Sequence, residues 1–355
     1  MAKHVIFLVH GMGDTVPGWS RPVQELIRKK YSLYPILNRL KFDNHFAFKE
    51  INYNHVFEGH IEKWKENASA VTAALEVSGI DSKLLSALMG FSTKAARKEF
   101  ASTHILDVIL YRFMNGIKSQ VIAHISEQLV GRLNESQTVP AYSILCHSLG
   151  TAVMHDVMQA NLTTDHFPLS TAHGVPAVYM SLANVSRVLE VSDSDVYTSA
   201  VRPRLADKKR LYGCDLFINV AHSLDPFTKV RTFKPAWKKG AANPLNNLRY
   251  DSYQRVAITG LTGNNPHDLE HYLQNPKTHV ALFRGLVSNG VISKAQLEAQ
   301  IQLHKKDTLG GKFDSVKSAV EALQLGEQST LNDAIKAWTE FQLMTKSFAP
   351  QGPVG

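Results

Sequence analysis

The segment "HVIFLVH" (4–10) is apolar at nearly every position, as a strand buried on both faces should be. "AYSILCHS" (141–148), "VPAVYMSLA" (175–183) and "DLFINVAHS" (215–223) read the same way. "FAFKEINYN" (46–54) alternates as a further strand, and "QRVAIT" (254–259) is another candidate. Between these runs the apolar spacing lengthens to that of a helix. "PVQELIRKKYSLYPIL" (22–37) carries Pro22 near its start, where a missing amide is no loss. One long helix is expected from about 102 to 133, on the stripe Leu106, Ile109, Leu110, Phe113, Ile117, Val121, Ile125 and Leu129. "LGTAVMHDVMQANL" (149–162) predicts another. Strands separated by helices imply right-handed crossovers and a mainly parallel sheet flanked by helices, an α/β fold.

Two regions depart from that alternation. From 58 to 100 the chain is helical in character with no strand. "ASAVTAALEVSGIDSKLLSALMGF" (68–91) places Val71, Ala74, Leu75 and then Leu84, Leu85, Leu88, Met89 on faces of broken helices. This insertion serves either as a lid or as simple packing on the sheet. From about 291, "SKAQLEAQIQLHKKD" and "STLNDAIKAWTEFQLM" are amphipathic helices without intervening strands. The reading is therefore an α/β domain over 1–290, a helical C-terminal extension over 291–348 and a frayed tail over 349–355.

Composition narrows the class modestly. Apolar residues make up 44% and charged residues 20%, as in an ordinary globular protein. No uniformly apolar run reaches the length of a membrane span; the best stretch, 105–125, is interrupted by Asp107, Arg112, Lys118 and Gln120. The apolar run at the start is too short for a signal peptide with its cleavage site, and two cysteines make no disulfide framework. A cytoplasmic location is expected. Net charge is +8, partly clustered in "VRPRLADKKR" (201–210) and "KVRTFKPAWKK" (229–239). Such clusters could make peripheral contact with an anionic membrane, but a solvated basic face is the favoured reading. Neither lies in a nucleic-acid motif, so no nucleic-acid partner is expected.

The chemistry centres on "SILCHSLGTAVMHDVM" (143–158), which runs a strand through Ser148 and Gly150 into a helix. A hydroxyl becomes a useful nucleophile only when exposed beside a base and near oxyanion donors, and a tight strand-to-helix turn supplies that setting. C-H-S-L-G resembles the G-x-S-x-G nucleophile elbow of the α/β hydrolases, with Cys146 in place of the first glycine. Cys146 as a reactive thiol is the weaker reading, since it lies within the strand. "LVHGMGD" (8–14) resembles the H-G-x loop of lipases. The resemblance assigns an oxyanion donor to the backbone N–H of Met12, partnered by that of Leu149. No G-x-G-x-x-G or G-K-[ST] nucleotide pattern is present.

"FINVAHSLDPF" (217–227) ends in Asp225-Pro226 and looks similar to the acid segment of several lipases, with Asp207 and Asp215 as rivals that precede their strand. "TGNNPHDLEHYLQNP" (262–276) offers His267 and His271 as base. His267 is favoured by its loop placement and by a similar segment in some lipases, while His271 stays open. The order Ser148, Asp225, His267 is that of the α/β hydrolases. The resemblance covers about 1–285 and implies an α/β-hydrolase fold and a lipase- or esterase-like serine hydrolase acting on esters with an apolar acyl chain. Thioesters and amides use the same machinery, and a silent binding or scaffold protein is the rival class. No CxxC, HExxH or EF-hand pattern occurs, so neither metal nor cofactor is expected. Oligomeric state is not legible.

Overall fold

The computed structural model describes residues 3–11, 16–66, 114–135, 140–163, 173–189, 213–235, 252–262 and 265–306, with shorter stretches between and after them. Strand β1 (His4–Val9) is followed by α1 (Arg21–Ser32), α2 (Pro35–Leu40), the single turn α3 (Phe42–His45) and β2 (Phe46–Ile51). Then come α4 (Asn54–Glu66), α5 (Asn115–Leu133), β3 (Tyr142–His147), α6 (Leu149–Thr163), β4 (Val178–Leu182) and the short α7 (Ser186–Leu189). Next are β5 (Leu216–His222), α8 (Pro226–Lys229), β6 (Tyr253–Ile258), α9 (Leu269–Gln274), α10 (Pro276–Leu286), a 3₁₀ turn at Asn289–Val291, and α11 (Lys294–Lys306).

The strands form one sheet in the order β2-β1-β3-β4-β5-β6, and every pairing is parallel. The pleat divides each apolar run between two cores. Val5, Phe7, Val9, Ile144 and Cys146 join Val121, Ile125 and Leu129 of α5 and Val153 and Val157 of α6. Ile6, Leu8, Leu145, Ile218 and Val220 face the other way, onto Val23 and Ile27 of α1, Leu273 of α9 and Phe283 of α10. Burial on both faces is the reason these strands read as unbroken apolar runs. The edge strands are more polar: Lys49 and Glu50 lie in β2, and Arg255 is exposed in β6.

Chain order and strand order diverge at β1. The chain leaves β1 for β2 on one side and returns to β3 on the other, with α1 on one face of the sheet and α5 on the opposite face. A crevice therefore opens beyond the carboxyl ends of β1 and β3, where open α/β sheets hold their ligands.

Two helices differ from the expected boundaries. The helix expected over 22–37 is two helices, because Pro35 forces Tyr34 into an extended conformation (φ −104°, ψ 124°) and lacks the amide a continuing helix needs. The helix expected from 102 to 133 is interrupted at Met114 (φ −114°, ψ 89°), and α5 starts at Asn115, where Asn and Gly are poor helix formers. Most of the 58–100 insertion, the 204–210 and 236–239 parts of the basic clusters, much of the C-terminal extension and the 349–355 tail lie outside the described residues. Of the extension, α11 contributes no buried residue. Among the described residues no helix is long and apolar enough to cross a membrane.

Buried imidazoles give the fold a pH signature. The His279 Nδ1–H donates to the Leu273 carbonyl (3.1 Å), and its Nε2 accepts from the Tyr34 hydroxyl (2.9 Å). Loss of solvent lowers His10 to about 4, and lowers His271 and His279 to about 3. Each is neutral in the folded state and becomes charged in the unfolded chain once pH falls below the ordinary value near 6.5. Their contribution is therefore complete above 6.5 and lost as pH falls toward the folded values, at about 1.4 kcal/mol per pH unit for each histidine that titrates only when unfolded. Urea unfolding should show stability falling steadily between pH 7 and 5. Unchanged stability across that range would contradict the burial of these rings as neutral species.

Candidate active site

At the end of β3 the chain turns sharply. Ser148 has φ +52°, in the left-handed region, where a residue with a side chain costs about 1–2 kcal/mol. The conformation is held from both sides: the Ser148 N–H donates to the Leu182 carbonyl (3.0 Å), and the Ser148 carbonyl accepts from the amide (2.8 Å) and hydroxyl (2.7 Å) of Thr151. Two glycines make the turn fit. A Cβ on Gly150 would lie 2.2 Å from the His10 carbonyl oxygen, so only hydrogen lets α6 pass the end of β1. A Cβ on Gly11 would lie 2.8 Å from Cβ of Ser148. Cys146 is accommodated because its side chain turns into the sheet, with Sγ 3.4 Å from the Met180 carbonyl oxygen and 3.7 Å from Ser181 Oγ on β4. Burial pushes its thiol up to about 12, which keeps it a neutral core group.

Three segments far apart in the chain meet at this turn. His267 Nε2 lies 2.7 Å from Ser148 Oγ, and His267 Nδ1 lies 2.7 Å from Asp225 Oδ2. A carboxylate accepts, so Nδ1 carries the proton and Nε2 accepts from the serine hydroxyl. Ser148 and His267 are 2% exposed and Asp225 is fully buried. Asp225 follows β5 and caps α8, with Oδ1 accepting the Phe227 amide (3.0 Å). Oδ2 also accepts the Tyr272 hydroxyl (2.8 Å). Burial acts to raise the Asp225 carboxyl, but the His267 ring beside it and the hydrogen bonds from His267 and Tyr272 outweigh it and hold it below the ordinary carboxylate range.

The rival residues lie elsewhere. The His271 Nδ1–H donates to Thr262 Oγ1 (3.0 Å), whose own proton goes to Gln274 Oε1, and its ring sits 5.0 Å from that of His222. Asp215 precedes β5, at the end of the strand opposite Asp225. Asp207 and Met12 lie outside the described residues. Leu149 opens α6, where the first amides have no intrahelical acceptor and the helix dipole favours negative charge.

Sequence reasoning missed several groups around this centre. Tyr272 lies within the segment that suggested His267, yet its spacing reads as a core position. Tyr53 stacks on His10 (4.1 Å between centroids, 11° between planes) and its hydroxyl lies 2.8 Å from the carbonyl oxygens of both His10 and Gly11, tying down the loop after β1. A cleft of about 200 Å³ opens over Ser148 and His267, walled by Trp19, Val23 and Leu269 and rimmed by Asp268 and Glu270. Among the described residues no group of three or more His, Cys, Asp or Glu side chains is placed to hold a metal.

No protein-family model matches the chain, and no curated protein matches it. Among solved structures, an uncharacterized protein from Pseudomonas aeruginosa is similar at 10% identity and a TM-score of 0.27, over 94% of this chain and 52% of that one. The chain thus spans about half the length of that protein, and so faint a likeness carries no argument about fold or function.

The position of Cys146 has a direct chemical consequence. Treating the folded protein with iodoacetamide at pH 8 should leave Cys146 unmodified by mass spectrometry, with alkylation only after unfolding. Rapid alkylation of the native protein would show that the thiol reaches solvent and that the turn after β3 is built differently.

Proposed function

We propose that this chain is a serine hydrolase of the α/β-hydrolase fold that cleaves carboxylic esters through an acyl-enzyme. The observation that carries the reading is the relay of two 2.7 Å contacts from Ser148 through His267 to Asp225. It is supported by the chain order of the three residues and by their place on loops beyond the carboxyl ends of parallel strands.

The chemistry follows from which atom holds which proton. As Ser148 Oγ bonds to the ester carbonyl carbon, its proton passes to His267 Nε2, and the carbonyl oxygen takes up the negative charge. The Leu149 amide at the start of α6, with the Met12 amide that the loop resemblance supplies, stabilises this oxyanion. The Asp225 carboxylate stabilises the imidazolium and keeps Nδ1 protonated throughout. Collapse of the tetrahedral intermediate expels the alcohol, which leaves with the proton from Nε2. Water, deprotonated by the same nitrogen, then hydrolyses the acyl-enzyme and returns the proton to Ser148. Thioesters and amides would follow the same path, since the triad does not choose the leaving group.

Trp19, Val23 and Leu269 give the cleft an apolar wall suited to an acyl chain. At about 200 Å³ it is smaller than the roughly 300–1,000 Å³ of most small-molecule sites, which favours short chains.

A fluorophosphonate should add to Ser148 of the wild type and not to Ser148→Ala. In a p-nitrophenyl ester series, rates should be highest for short acyl chains and vanish in Ser148→Ala. His267→Ala should lower kcat by about 10²–10⁴-fold. Rates that are flat along the series and independent of Ser148, with no adduct, would remove the enzyme reading. Retained activity in His267→Ala with loss in His271→Ala would move the base to His271.

A further inference from the structure

The mechanism above makes no use of His147, the residue immediately before Ser148. His147 closes β3, and the pleat sends its side chain to the face opposite Cys146, toward the loop that carries His267. There its Nε2 lies 2.7 Å from the main-chain carbonyl oxygen of His267, and the two imidazole centroids are 5.1 Å apart. A carbonyl oxygen only accepts, so Nε2 must carry a proton. The opposite edge of the ring abuts the loop after β1: a Cβ built on Gly11 would lie 3.2 Å from His147 Nδ1. At 8% exposed, the ring is packed between the segments that hold the base and the oxyanion loop.

The main chain of His267 also has a contact within its own loop. Its amide donates to Asn265 Oδ1 (2.9 Å), which belongs to the same loop and cannot place that loop relative to the sheet. The contact from His147 reaches across 120 residues of sequence and comes from the strand that positions the nucleophile.

We propose that His147 is a positioning residue for the reaction. By donating its Nε2–H to the carbonyl of His267, it ties the base to the strand that leads into Ser148, so adjacent residues at the end of β3 act on both ends of the Ser148–His267 contact. The role rests on the esterase reading of Ser148 and His267. Ring protonation leaves the bridge in place, because the imidazolium still donates from Nε2.

The test compares two substitutions in the full-length protein, alongside thermal melts that establish folding. His147→Gln can present an amide N–H near the former Nε2, whereas His147→Leu fills similar space without a donor. His147→Leu should lower kcat by about 10- to 100-fold with KM within about twofold, as expected when the reacting groups are displaced and substrate binding is kept. His147→Gln should stay within about threefold of wild type, a rescue that volume alone does not give. Wild-type kcat in His147→Leu, or equal loss in both variants, would overturn the proposal. Nitrogen-15 imidazole NMR of the wild type provides a readout independent of turnover, and the neutral ring should be the Nε2–H tautomer. An Nδ1–H tautomer would overturn the bridge even in an active enzyme. If the wild type neither hydrolyses esters nor takes a Ser148 adduct, the esterase reading fails and the catalytic role with it, while the tautomer still decides the bridge.

Discussion

The close approach of α6 to the end of β1 governs this site. Only hydrogen fits at Gly150, and only because it fits can the chain leave β3 through a left-handed residue and enter a helix at once. That conformation lifts the Ser148 side chain over the carboxyl ends of the strands. The strain at Ser148 is offset by hydrogen bonds on both sides, from β4 and from Thr151. The loop after β1 touches this turn through Gly11, and His267 reaches it from beyond β6.

The second constraint is a buried carboxylate. An ionised Asp225 without solvent would be strongly unfavourable if left unpaired. Here the Phe227 amide, the Tyr272 hydroxyl and the His267 ring all donate to it, so burial ends in a well-solvated anion whose solvent is the protein. The same three donors fix its direction. A carboxylate this restrained selects one tautomer of His267, and that tautomer alone leaves Nε2 able to accept from the serine. The geometry thus joins stability and chemistry in one network.

The four inner strands were legible in the sequence because burial on both faces leaves an apolar run that few other environments produce; the edge strands β2 and β6 are more polar, and all six expected strands appear in the sheet. Helix ends were less legible. Pro35 and the Asn115-Gly116 pair carried the signals for the breaks, but a continuous apolar stripe outweighed them. Ser148, Asp225 and His267 could be proposed because each follows a strand and sits among recognisable turn residues. Tyr272 and His147 could not, because their roles depend on contacts across 47 and 120 residues, and nothing local separates a core phenol or imidazole from one that holds a site together. The choice between His267 and His271, only four residues apart, is likewise a matter of tertiary placement: one faces Ser148 and the other faces Thr262.

The central claim is that the Asp225 carboxylate holds the His267 Nδ1 proton, leaving Nε2 to take the proton of Ser148. Proton NMR of the folded protein near neutral pH tests it most directly. The account predicts a strongly deshielded imidazole N–H resonance that survives in Ser148→Ala and disappears in Asp225→Asn. Its absence from the wild type, or its persistence in Asp225→Asn, would contradict the account.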